Sequence, residues 1–514
     1  MSTYLIRAKY VVTVPALREQ GVLIQAGIYV QDKFIVEVGD FVTLKTKYPE
    51  AQVLGSDHHI AIPGFINAHN HGQGATTFLR GTMDGHLETW DHYWPAKMIR
   101  TEEEAFYDTL VANSREIRTG ITSTMRHDGA AGNLEEFKRE VEAIIRGYTT
   151  AGLRFRFALG ITDQFRLVYD HDENFIATLP PEIAEKARKA SASGEGISNE
   201  EFLTYFEELV RRYKGDTRIN LVMGVIGPQW DSDKQLFLLK EKARQLGSGM
   251  HGPLLETLYQ KMYCLREFGH SGGEHFYNQG ILGPDYSCAH GVWLNEKDME
   301  LFAETGATIV HCPSSNLRLY SGIAPVPLML EKGVNVALAP DSEGINDDED
   351  MFQEMRLAMM LSRQPPFTEK ALDEWDVLKM ATTNGAKAIL MQDKLGTLEP
   401  GKEADITLVN LDRIFVPYMH PSIGPVTALI YRGKPSDVDL VMVAGEVIYQ
   451  DGRYIRFDLD QSEYKLGELM KKAYNSEKWT EDSLPVELIP YMEEYFKTWR
   501  IPDLDPVYVV NSRR

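Results

Sequence analysis

The sequence predicts a parallel (β/α)8 TIM-like barrel with a small β-sandwich built from both ends of the chain. Three observations predict it. Through the middle of the 514 residues, apolar strand-like runs alternate with amphipathic helical stretches, the pattern of a parallel α/β structure. Eight such runs can be counted, and polar residues gather at their ends, where a barrel of this kind carries its reactive groups. Both ends of the chain instead show short alternating strands and turns with little helical pattern.

Taken in order, residues 1–60 supply the first part of the sandwich, through "YLIRAKYVVTV" and "GVLIQAGIYVQDKFIVEVG". Residues 61–390 form the barrel. Its strands lie in "HIAIPGFINAHNHG", "GITSTMRHDG", "RFRFALGITDQ", "INLVMGVIGPQW", "GSGMHGPLLE", "YSCAHGVWL", "ATIVHCPSSN" and "VNVALAPDSEG". Residues 391–457 return to the sandwich through "LGTLEPGKEADITLVNLD" and "SDVDLVMVAGEVIYQDGRYI". Residues 458–514 are a C-terminal extension, helical in "SEYKLGELMKKAYNSEKW" and broken by prolines in "LPVELIPYMEEYF". It is expected to wrap the barrel or a neighbouring subunit of a homo-oligomer.

Composition narrows the partners. A net charge of −21 argues against nucleic acid and against an anionic membrane surface as partners. The three cysteines, Cys264, Cys288 and Cys312, are odd in number and lack CxxC spacing. A disulfide framework and a cysteine zinc site are therefore not expected. With no leader pattern at the start and no run of about 18–20 apolar residues, the expected location is the cytoplasm.

The stretch "PGFINAHNHGQG" raises the chemical question. On an extended strand, residues i and i+2 face the same side, so His69 and His71 present two imidazoles to one spot, with Cα atoms about 6–7 Å apart. That geometry chelates. His290 and Asp341, at the ends of the sixth and eighth runs, line the same mouth. Trp90 and Trp230 follow the first and fourth strands, where loops build the pocket, and their rings suit a flat or apolar substrate.

These pieces together resemble the amidohydrolase superfamily over nearly the whole chain to about residue 455. The motifs are "PGFINAHNHG", "CAHGVWL", "HCPSSNLRL", "ALAPDSEGIND", "TTNGAKAI" and "LGTLEPGKEADITLVNLD". The chain looks most like the single-metal subgroup that contains triazine and phenylurea hydrolases and the cytosine, guanine and adenosine-type deaminases. A two-metal relative would carry a bridging lysine on the fourth strand, and "VMGVIGPQW" has none. The resemblance implies one divalent transition-metal ion per chain, zinc first, with iron, cobalt or manganese as alternatives. Such an ion lowers the pKa of water from about 16 toward about 7.

The resemblance also assigns Glu256, in "LLET", as the carboxylate that moves the water proton, with His290 and Asp341 as the other catalytic groups. In the family pattern a histidine ligand stands three residues before that glutamate, and here the position is Pro253. His69, His71 and Asp341 remain as implied ligands. His290 is expected to complete the set, and His251, two residues before Pro253, is the competing choice. Gln229 stands where relatives often carry a pocket histidine, and Asn316 is a further substrate-contact candidate.

The implied function is metal-dependent hydrolysis of a C–N bond in a small, uncharged molecule. An amide, urea or carbamate is preferred, because Pro253 and Gln229 depart from the deaminase pattern. Hydrolytic deamination or dehalogenation of an aromatic N-heterocycle is the first alternative, and a non-catalytic barrel with a degraded metal site is the second.

Overall fold

A computed structural model describes residues 3–93, 100–165, 167–192, 196–342, 344–363, 370–474 and 484–499. Eight parallel strands form the barrel in sequence order: β5 (Phe65–Asn70), β6 (Ile121–Gly129), β7 (Arg154–Gly160), β8 (Ile219–Gly224), β9 (Met250–Leu254), β10 (Tyr286–His290), β11 (Thr308–His311) and β12 (Asn335–Leu338). β12 lies against β5 and brings the ring round. Each of the eight apolar runs read from the sequence contains one of these strands. The reason is burial on both faces: every residue of β5, β10 and β11 is buried, so the runs are apolar and near-continuous and do not alternate.

The outer helices begin where the sequence offers a capping side chain. Thr101, Asn133, Ser198, Ser232, Thr257, Asn295 and Asp350 each accept a hydrogen bond from a first-turn backbone N–H of the helix that follows. At Asn133, Ser198 and Asn295 an acidic residue three positions on returns the bond, completing a capping box.

The second sheet joins both chain ends. It is built of β1 (Thr3–Val12), β2 (Val22–Gln31), β3 (Phe34–Asp40), β4 (Gln52–Pro63), β13 (Ile406–Asn410), β14 (Val438–Val443), β15 (Glu446–Gln450) and β16 (Arg453–Tyr454). Their order is β16-β15-β14-β13-β4-β1-β2-β3. β13 pairs antiparallel with β4, which is where the returning chain meets the departing one. Ile28 and Val30 of β2 share a core with Leu440 and Met442 of β14, so the sheet bends round on its own apolar face.

A single residue, Gly64, separates β4 from β5. A side chain there would stand 2.2 Å from Thr122, so only glycine permits this close passage from sheet to barrel. Beside the joint, buried Arg154 of β7 pairs with Glu403 at 2.7 Å and Asp405 at 2.9 Å, tying the barrel floor to the second sheet. Arg154→Leu would leave Asp405 buried without its cation and Glu403 with only Lys33, 3.8 Å away. It is expected to cost about 3–5 kcal/mol, read as a lowered thermal midpoint.

In the C-terminal extension, the helix Leu459–Tyr474 packs on the helix Glu102–Arg118. The proline-containing stretch does not break as the sequence suggested: Leu484–Lys497 is one helix. Pro485 sits in the first turn, where no N–H is needed. Pro490 lies inside the helix, which is held by buried Leu488, Ile489, Met492 and Phe496. This helix packs against the helix Leu87–Tyr93 that follows β5. Phe496 also meets Tyr169 and Tyr259, and Tyr495 donates to Asp170. The extension thus braces loops that follow three barrel strands. Among the described residues, no helix is long and apolar enough to cross a membrane.

Candidate metal centre

The C-terminal ends of β5, β9, β10 and the turn after β12 converge on one buried cluster. Nε2 of His69 lies 3.0 Å from Oδ1 of Asp341, and Nε2 of His71 lies 3.4 Å from the same oxygen. Nε2 of His290 is 3.7 Å from the other Asp341 oxygen and 3.5 Å from Oε2 of Glu256. One ligand atom from each of His69, His290 and Asp341 falls within 4.8 Å of the other two.

Nε2 of His69 and Oδ1 of Asp341 are buried and face each other without hydrogen-bonding geometry. Two acceptor atoms aimed at one point fit a cation, and a set of imidazoles with one carboxylate suits a divalent transition metal.

Each of these groups is held from behind. Nδ1 of His71 donates to the His127 carbonyl at 2.7 Å. Nδ1 of His290 donates to Oδ1 of Asn316 at 3.0 Å, which leaves its Nε2 lone pair facing Asp341 and Glu256. Ser315 donates to Oδ2 of Asp341 at 2.7 Å, and Ser321 donates to Oε1 of Glu256 at 3.3 Å.

The backbone is also unusual here. Leu255, His290, Asp341 and Ser342 all have positive φ, at 50°, 70°, 59° and 58°. Side-chain-bearing residues seldom adopt this region, and such outliers gather at functional sites.

Charge follows from burial and proximity. Burial holds the His69, His290, His251 and His127 imidazoles below the usual histidine range, His69 at about 4, although Asp341 pulls His69 and His290 the other way. For His71, burial is overcome by the hydrogen bond and charge of Asp341, and its affinity for a proton is raised. Burial opposes the Asp341 carboxylate as well, but the surrounding imidazoles hold it well below the usual range. Asp341 is therefore held ionised among these imidazoles, of which His69 and His290 are kept neutral while His71 is drawn toward its protonated form.

Pro253 stands in β9, where the family pattern has a ligand. Its effect on the ladder is local: the Val225 N–H donates to the His251 carbonyl, the bond back to the Val225 carbonyl would come from residue 253, and proline, lacking that N–H, ends the β8–β9 pairing at Gly224. His251 has both ring nitrogens engaged, 2.7 Å from Nδ1 of His69 and 2.7 Å from Oγ of Ser287. It stands behind His69.

The other sequence candidates separate. Asn316 is at the centre, acting on His290. Trp90 is buried in a small apolar cluster with Leu87 and Leu319, which follow β5 and β11. Gln229 is buried over Gly227, and Trp230 packs edge-on to Tyr169 while its carbonyl accepts from Asp163 and Gln164. Both shape the loop after β8.

Sequence reasoning passed over His127. It is buried, its Nε2 has no hydrogen-bond partner, and its ring lies 5.8 Å from that of His69 and 5.9 Å from those of His71 and His251. The signal available was its place near the end of the second strand-like run.

Comparison with known proteins agrees with this geometry. The chain is 31% identical over 478 residues to a 5'-deoxyadenosine deaminase of Methanosarcina mazei, covering 92% of this chain and 98% of that one. It is 30% identical over 465 residues to a 5-methylthioadenosine/S-adenosylhomocysteine deaminase of Caldanaerobacter subterraneus, covering 90% and 96%. The fold is shared with a zinc-bound adenosine deaminase from Xanthomonas campestris, with a TM-score of 0.77 at 23% identity over 92% of this chain and 99% of that one. Residues 60–448 match the Amidohydrolase family, and with the relatives that match nearly its full length the chain belongs to that family, as a hydrolase of C–N bonds other than peptide bonds.

Proposed function

We propose that this enzyme hydrolytically deaminates an aromatic nitrogen heterocycle of the aminopurine nucleoside class. The observation that carries this reading is the pair of near-full-length relatives, both named for deamination of adenosine-type molecules. Among the two kinds of C–N substrate considered from the sequence, the heterocycle is thereby preferred over amide, urea or carbamate. Pro253 counts less against it than the motif alone suggested. The proximity of His290 Nε2 to Asp341 supports a ligand set of His69, His71, His290 and Asp341 that draws nothing from β9.

Zinc is the proposed resident ion, and when bound it acidifies a water so that a nucleophile is available near neutral pH. The chain's own groups do the rest. Glu256, steadied by Ser321, takes one proton from the water and passes it to a ring nitrogen of the heterocycle, then takes the remaining hydroxyl proton and passes it to the departing nitrogen, which leaves as ammonia. Asp341, whose second oxygen is fixed by Ser315, supplies the negative charge that offsets the cation. Asn316 holds the His290 ring in one tautomer and one orientation. Trp90, Leu87 and Leu319 offer an apolar wall against which a flat ring can lie. The three buried thiols suit a reducing cytoplasm.

Ammonia release from metal-replete protein tests the reading against a panel of aminopurine nucleosides, aminopyrimidines, amides, ureas and carbamates. Aminopurine nucleosides are expected to react with kcat/KM of about 10⁴ M⁻¹s⁻¹ or more. Turnover confined to amides, ureas or carbamates would overturn it.

A further inference from the structure

We propose that Ser287 and His251 form a hydrogen-bonded relay that fixes the tautomer and aim of His69, holding this metal-facing imidazole from the opposite wall of the barrel. The inference rests on the metal-site reading above and assigns His251 as a positioning residue. It explains how β9 serves the centre after losing its own ligand to Pro253.

The geometry comes from strand order. β9 lies four strands from β5 in an eight-stranded ring, so the two face each other across the barrel axis. His251 of β9 is paired in register with Ser287 of the adjacent β10, and their side chains share the inner face. From Ser287 the contacts run to Nδ1 of His251 at 2.7 Å, then from Nε2 of His251 to Nδ1 of His69 at 2.7 Å. All three side chains are buried. Water therefore does not compete for these bonds.

Proton bookkeeping makes the relay directional. If Nε2 of His69 faces the cation it carries a lone pair, so its proton is on Nδ1 and is donated to His251. Nε2 of His251 must then be the acceptor, which places the His251 proton on Nδ1, donated to the Ser287 hydroxyl. No other arrangement satisfies the three groups and leaves His69 able to bind a metal. A donor accepted in this way also makes the ligating nitrogen more electron-rich, which strengthens its bond to the cation.

The test measures binding of zinc(II) and cobalt(II) by competition with a chelator, together with the visible spectrum of the cobalt(II) protein. His251→Ala is expected to weaken binding about 10–100-fold. His251→Gln places an amide oxygen where Nε2 stood and is expected to restore most of that loss. His251→Leu fills the space and is expected to restore the thermal midpoint without restoring affinity. Ser287→Ala should show a smaller loss in the same direction. In all four variants the cobalt(II) spectrum should keep the wild-type shape, because the ligands are unchanged.

Wild-type affinity in the Leu variant would reduce His251 to packing and overturn the proposal. A Gln variant as weak as Ala, with a cobalt(II) spectrum altered as in His290→Ala, would make His251 a ligand and overturn it equally. Undiminished affinity in Ser287→Ala would refute the relay's outer half. These readouts do not involve substrate, so a failure of the deaminase reading would show separately, as absent ammonia release from a wild type that binds metal.

Discussion

Asp341→Asn is expected to remove the bound cation and turnover together while leaving the barrel folded. Asp341 is the one carboxylate in the cluster with His69 and His290, and its two oxygens face the three imidazoles His69, His71 and His290. Asparagine keeps the shape and the bond from Ser315 but removes the charge that offsets the cost of bringing a divalent ion into a buried site. Elemental analysis should fall from about one equivalent per chain toward none. Circular dichroism and the thermal midpoint of the metal-free proteins should stay close. An asparagine variant that retains its metal would show that the cation does not rest on Asp341.

The second large effect is expected at Glu256. Glu256→Gln preserves volume and the contact with Ser321 but cannot accept a proton from water, so kcat should fall about 10²-fold or more with metal content unchanged. The adjacent His290 gives the alternative a definite form, since its Nε2 is 3.5 Å from Glu256. Near-normal turnover in the Gln variant would move the proton to that imidazole.

The two outcomes also separate the kinds of information the sequence carries. The barrel was legible because each inner strand is buried on both sides and the chain must write that as an apolar run. The His69/His71 pair was legible because two residues on one strand face share a direction. Asp341 and His290 were legible from their places at strand ends. By contrast, the contact between His69 and His251 joins residues 182 apart across the barrel axis, and no local periodicity encodes it. Ser287 is an ordinary small residue in a strand until the register places it opposite His251. His127 sat at a readable position but lacked a partner in its own segment. The prolines of the final helix misled for a related reason, because tertiary packing of Leu488, Met492 and Phe496 outweighs what Pro490 costs locally.

The positive φ values at Leu255, His290, Asp341 and Ser342 set a limit on how this enzyme can be hardened. Each such residue is held against its own conformational preference by about 1–3 kcal/mol, and Leu255 directly precedes Glu256 while His290 and Asp341 belong to the cluster itself. A search for heat-resistant variants would be drawn to these positions, since relaxing them releases strain. The same relaxation would let the reacting groups drift from their relative placement. Heat resistance in this protein is therefore better sought in the outer helices and the second sheet, where added stability does not compete with turnover.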